Sequence, residues 1–84
     1  MNYYFEEKLR KIITSCIKGF DIVEFNETTD LISDFGLDSL DIMQIVVQLE
    51  TEFNIELEDD DLYIETISSY KNLVCILKKL LIPV

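Results

Sequence analysis

One hydroxyl stands out chemically in this chain, that of Ser39, which sits in the run Asp34-Phe-Gly-Leu-Asp-Ser-Leu-Asp41. Gly36 allows a tight approach, Leu37 supplies an apolar anchor, and Asp38 is suited to start a helix as its N-cap. Asp41, three residues on, puts a second carboxylate in the first turn. A phosphodiester on Ser39 would face the unpaired N–H groups and the positive dipole end of that helix. Asp38 and Asp41 could instead hold a divalent cation while a phosphate is transferred. Ser39 has no base beside it, and the chain has no histidine, so it is unsuited to nucleophilic catalysis of its own. A serine at a helix start also serves as a simple cap, and these residues alone leave both roles open.

The rest of the composition narrows the choice. With 84 residues the chain supports one domain, and nearly half its residues are apolar, enough for one compact core. Two cysteines and no histidine cannot build a zinc site, so no intrinsic metal is expected. An EF-hand fails on spacing: counting back from Gly36 puts Leu31 first and Phe35 fifth, where oxygen ligands are required. No apolar run reaches about 18 residues and no signal peptide is evident, so a cytoplasmic protein without membrane insertion is expected. Cys16 and Cys75 fall among apolar residues at helical spacing and are expected to be buried free thiols. Net charge is −10, and from Asp21 to Tyr70 there are fifteen acids and no lysine or arginine. Such a field repels nucleic acid and attracts proteins with basic patches.

The elements that position Ser39 follow from periodicity. Phe5, Leu9, Ile12, Ile13, Cys16 and Ile17 predict a first helix over about 3–18, ended by Gly19. Residues 19–37 read as a long loop whose apolar side chains, Phe20 to Leu37, wrap over the core. A second helix is predicted over about 38–53, with Asn54 as its stop. A short helix near 60–65 would be anchored by Leu62 and Ile64. Ser68 or Ser69 caps a last helix over about 69–81. The sum is an all-α bundle of three long helices and one short one.

The second helix has one apolar face too many. At about 100° per residue from Leu40, Ile42, Ile45, Val46, Leu49 and Phe53 fall at about 140–240°, the core face. Leu40, Met43 and Val47 fall at about 0°, 300° and 340°, on the opposite side. That second stripe must be covered by the long loop, by another helix or by a partner protein. Asp41 and Gln44 lie beside it and Glu50 flanks the far edge, so the strip has the form of a transient docking surface. Met43 suits a surface that must fit several partners.

Over about residues 3–81 the sequence resembles the acyl carrier protein family, which includes peptidyl and D-alanyl carriers. The most specific part is Gly36-Leu-Asp-Ser-Leu40, followed by an amphipathic helix ending Leu49-Glu-Thr-Glu-Phe53 and then Ile55-Glu-Leu57. The resemblance implies a single four-helix carrier domain over 1–84 that is not an enzyme. It implies that Ser39 accepts 4′-phosphopantetheine from coenzyme A, through a transferase that uses magnesium at Asp38. It implies docking of acyl-loading and acyl-processing enzymes with basic patches on Leu40, Asp41, Met43, Gln44, Val47 and Glu50, by a monomeric carrier serving fatty-acid, polyketide or related biosynthesis. Ile42, Val46, Leu62 and Ile67 become candidate walls for a folded-back acyl chain. Gln44 stands where fatty-acid carriers usually have glutamate, and the acidic run near Glu50-Thr51-Glu52 is thinner. The competing expectation is a carrier-like interaction module that never receives the arm.

Overall fold

The computed structural model describes residues 4–17 and 24–82. Five α-helices follow in order: α1 Glu6–Cys16, α2 Leu31–Phe35, α3 Ser39–Phe53, α4 Ile64–Ile67 and α5 Tyr70–Leu81. A single 3₁₀ turn, Asp59–Asp61, precedes α4. The all-α architecture with three long helices is as expected, and the described residues contain no strand, only an isolated bridge between Asp30 and Ser69.

In α1 the first turn carries Glu6 and Glu7, which suit the positive end of the helix dipole. The helix turns Leu9 and Ile13 fully inward, and Ile17 leaves it in extended conformation. It is shorter than the predicted 3–18, and the proposed stop at Gly19 lies outside the described residues.

The segment read as a continuous loop contains α2, which corrects that expectation. Asp30 caps it, accepting from Ile32 N–H at 2.9 Å and Ser33 N–H at 3.0 Å, while Asp34 accepts from Asp30 N–H at 2.9 Å. Gly36 closes it at φ +70°, a left-handed conformation that costs a residue with a Cβ. Asp30 and Gly36 are turn formers by type, but with five residues between cap and stop they also bracket a short helix of little more than one turn. Leu31 and Leu37 are buried and Phe25 and Phe35 pack at the core's edge, as the wrapping-loop expectation required; Phe20, Ile22 and Val23 lie outside the described residues.

The core joins Leu9 and Ile13 of α1 to Ile42, Ile45, Val46 and Leu49 of α3 and to Leu73, Ile76 and Leu77 of α5. Asn54 at φ 52° ends α3 in the left-handed conformation. The single short helix expected at 60–65 is divided: extended Tyr63 separates the 3₁₀ turn from α4, which lets Leu62 and Ile64 both lean on the core. Ser69, not Ser68, caps α5 by accepting from Asn72 N–H at 3.3 Å. Leu31 N–H donates to Ser68 O at 2.8 Å and Tyr70 N–H to Thr29 O at 3.1 Å, which ties the start of α2 to the start of α5.

Both cysteines are free, but the expectation that both are buried fails. Cys16 is half-buried and Cys75 is exposed. Leu73, Ile76 and Leu77 fill the inner face of α5, and Cys75, about 200° round the helix from Leu73, has to point outward.

A largely buried polar network joins α1 to the start of α5. Tyr70 Oη donates to Glu6 Oε2 at 2.8 Å, and Arg10 donates to the same carboxylate oxygen at 2.9 Å and to Tyr70 Oη at 3.1 Å. Phe25 stacks on the Tyr70 ring at 4.9 Å between centroids. Burial, and then the bond to Glu6, push the Tyr70 phenol above its ordinary pKa, while Arg10 works against the rise. The bond to Tyr70 chiefly holds Arg10 protonated beyond its ordinary range.

Candidate functional site: Ser39 and the outer face of α3

Ser39 is the first residue of α3 and is exposed. The structure gives the capping role to its neighbour. Asp38 Oδ1 accepts from Asp41 N–H at 2.9 Å, and Asp41 Oδ2 accepts from Asp38 N–H at 3.2 Å, a closed capping box. The Ser39 hydroxyl makes no hydrogen bond to any described residue, so the simple-cap alternative does not hold. Nor do the Ser39 and Leu40 N–H groups find an acceptor among the described residues, as expected in a first turn. A phosphate on Ser39 Oγ would therefore meet two unengaged donors at a positive helix end, beside two carboxylates already oriented by each other. That arrangement fits a covalent phosphodiester arm. The described residues contain no grouping of three or more His, Cys, Asp or Glu side chains able to hold a metal.

Directly after Ser39 the outer stripe of α3 is open. Leu40 is 73% exposed, Val47 56% and Met43 39%. The 24–37 segment does not cover them. Together with Gln44 and Gln48 they line a shallow groove of about 410 Å³. The two other acids expected on its rim are engaged internally. Asp41 closes the capping box, and Glu50 accepts from Leu57 N–H at 2.9 Å, which draws the acidic 56–61 segment onto the end of α3. Gln48 is also part of the groove wall.

The candidate acyl-chain walls belong to the core. Ile42, Val46 and Ile67 are buried, and Leu62 packs at the edge. Sequence reasoning did not find the Glu6–Arg10–Tyr70 network. A partner pair 64 residues apart leaves no periodic signal, and Glu6 reads as an ordinary first-turn acid.

Comparison with known proteins gives this geometry its context. A family model described as phosphopantetheine attachment site matches residues 7–74. An acyl carrier protein of Clostridium acetobutylicum is 38% identical over 72 residues, 86% of this chain and 90% of that protein. One of Thermotoga maritima is 36% identical over 72 residues, 86% of this chain and 85% of that protein. One of Desulforapulum autotrophicum is 36% identical over 56 residues, 67% of this chain and 73% of that protein. No solved structure matches. An exposed serine at a capped helix start, inside a matched phosphopantetheine-attachment region, thus joins relatives that align along most of their length: the chain belongs to the acyl carrier protein family, whose members carry phosphopantetheine and are carriers, not enzymes.

Proposed function

We propose that this chain carries acyl or aminoacyl groups as thioesters on a 4′-phosphopantetheine arm attached to Ser39 Oγ, and presents them to biosynthetic enzymes that dock on α3. In loading, Ser39 Oγ displaces adenosine bisphosphate from coenzyme A, and its proton passes to a base on the transferase, with magnesium held in part by Asp38. The observation that supports this best is the uncommitted, exposed Ser39 hydroxyl at the start of α3, freed from capping by the Asp38–Asp41 box. The docking strip is Leu40, Met43, Gln44 and Val47, with Asp41 and Glu50 contributing charge from its margins. The chain acts as a cytoplasmic monomer in fatty-acid, polyketide or related biosynthesis; no helix among the described residues is long and apolar enough to cross a membrane.

Intact mass after incubation with coenzyme A, magnesium and a phosphopantetheinyl transferase tests this reading. Wild-type protein should gain one phosphopantetheinyl group and Ser39→Ala none, with helicity unchanged. A wild-type chain that stays unmodified would leave an acidic interaction module in place of a carrier.

A further inference from the structure

The groove on α3 does not end on α3. Helix α1 lies against α3 in the opposite direction, with Lys8 Nζ 3.2 Å from Glu52 and Gln48 Nε2 3.9 Å from Cys16 Sγ. A second depression, of about 250 Å³, is walled by Ile12, Val47, Gln48, Thr51 and Glu52. A third, of about 240 Å³, is walled by Lys8, Lys11, Ile12, Ser15, Gln48 and Glu52. Val47 and Gln48 join the first depression to the second, and Ile12, Gln48 and Glu52 join the second to the third. One trough therefore runs from beside Ser39 across the α3–α1 seam.

Size requires that a docked enzyme use more than the stripe. Leu40 to Val47 covers about 10 Å of a helix about 10 Å wide, roughly 100 Å². A specific interface takes about 800 Å² from each partner, and even a weak one several hundred. The footprint has to pass onto a neighbouring element, and the trough leads onto α1. Charge changes along the way. From residue 24 to 70 every charged side chain is acidic, whereas α1 brings Lys8 and Lys11 to the trough. Their present bonds, to Glu52 at 3.2 Å and to Glu7 at 3.6 Å, join exposed side chains and are readily exchanged for a partner's carboxylate.

We propose that the enzyme that loads Ser39 docks along the whole seam. It lays an apolar ridge over Leu40, Met43, Val47 and Ile12, sets basic side chains beside Asp38 and Asp41, and sets a carboxylate against Lys11. This enzyme is the occupant because its active site must reach Ser39, and the trough begins at the next residue. Opposite charges at the two ends of the footprint fix the direction in which the enzyme lies. The inference rests on the Ser39 reading above.

The test is steady-state loading by a phosphopantetheinyl transferase with coenzyme A, comparing wild type, Lys11→Glu, Lys11→Gln and Lys71→Glu. Lys71 lies on α5 outside the trough, and its reversal changes net charge equally. Lys11→Glu should raise KM for the carrier about 3- to 10-fold with kcat within about 2-fold, as a rim charge acts on encounter. Lys11→Gln should fall between wild type and Lys11→Glu, and Lys71→Glu should stay within about 2-fold of wild type. Equal KM values for the two reversals, at intact Ser39 loading, would remove the α1 half of the footprint and leave the carrier reading standing. Loading that fails in wild type, or occurs away from Ser39, would overturn both.

Discussion

Asp38 and Asp41 cap each other: each carboxylate accepts the other's backbone N–H, at 2.9 and 3.2 Å, and the serine between them is left uncommitted. This reciprocity separates two duties that lie one residue apart, starting the helix and offering a hydroxyl.

Replacing the cap should therefore be separable from replacing the carboxylate. Asp38→Ala loses the acceptor for Asp41 N–H and should cost about 1 kcal/mol, a fall in Tm of about 4–8 °C for a domain of this size. Asp38→Asn keeps an equally good cap, so its Tm should stay near wild type while magnesium-dependent loading of Ser39 falls. Thermal melts beside loading rates check both. Equal loading by Asp38→Asn and wild type would show that Asp38 serves the helix only.

The open stripe of α3 makes a second contrast. Val47 is 56% exposed and sits on the groove wall, whereas Val46 is 1% exposed in the core. Val47→Glu or Met43→Glu should shift stability by no more than about 0.5 kcal/mol, the range of ordinary surface changes, yet slow transfer by partner enzymes. Val46→Ala should instead lower stability by about 1–3 kcal/mol, because it leaves a cavity. A Val47→Glu protein that melts as early as Val46→Ala would place the stripe inside the fold.

Tyr70 sets the response to alkali. Its phenol is held neutral beyond the ordinary value of 10.0 by burial and by the bond to Glu6. A group whose pKa is higher folded than unfolded adds stability that is fully present below the unfolded pKa. That stability drains away as pH climbs through the folded pKa. Melting temperature should thus fall above about pH 10 in wild type. Tyr70→Phe should be less stable at neutral pH by about 1–3 kcal/mol, having lost its bonds to Glu6 and Arg10, but should show a shallower alkaline fall. An unchanged alkaline slope in Tyr70→Phe would assign the effect to other groups.

Local chemistry made much of this protein legible in its sequence. The spacing of Ile42, Ile45, Val46 and Leu49 identifies the inner face of α3, because a helix repeats every 3.6 residues wherever it is packed. Asp38 with Asp41, and Ser69 ahead of α5, announce helix starts because a cap bonds within its own first turn. Ser39 was visible through the run Gly36-Leu-Asp-Ser-Leu40 at that helix start. What depended on packing was not: α2 inside an apparent loop, the outward turn of Cys75, and the capture of Glu50 by Leu57 N–H. Periodicity assigns Leu40, Met43 and Val47 to a second stripe, but whether anything covers that stripe depends on where the 24–37 segment lies, and its path is set by contacts such as Leu31 N–H to Ser68 O. Glu6 and Arg10 pair one turn apart within α1, but Tyr70 joined them only when α1 and α5 packed, since contacts between residues sixty or more positions apart are chosen by the whole core and by no local rule.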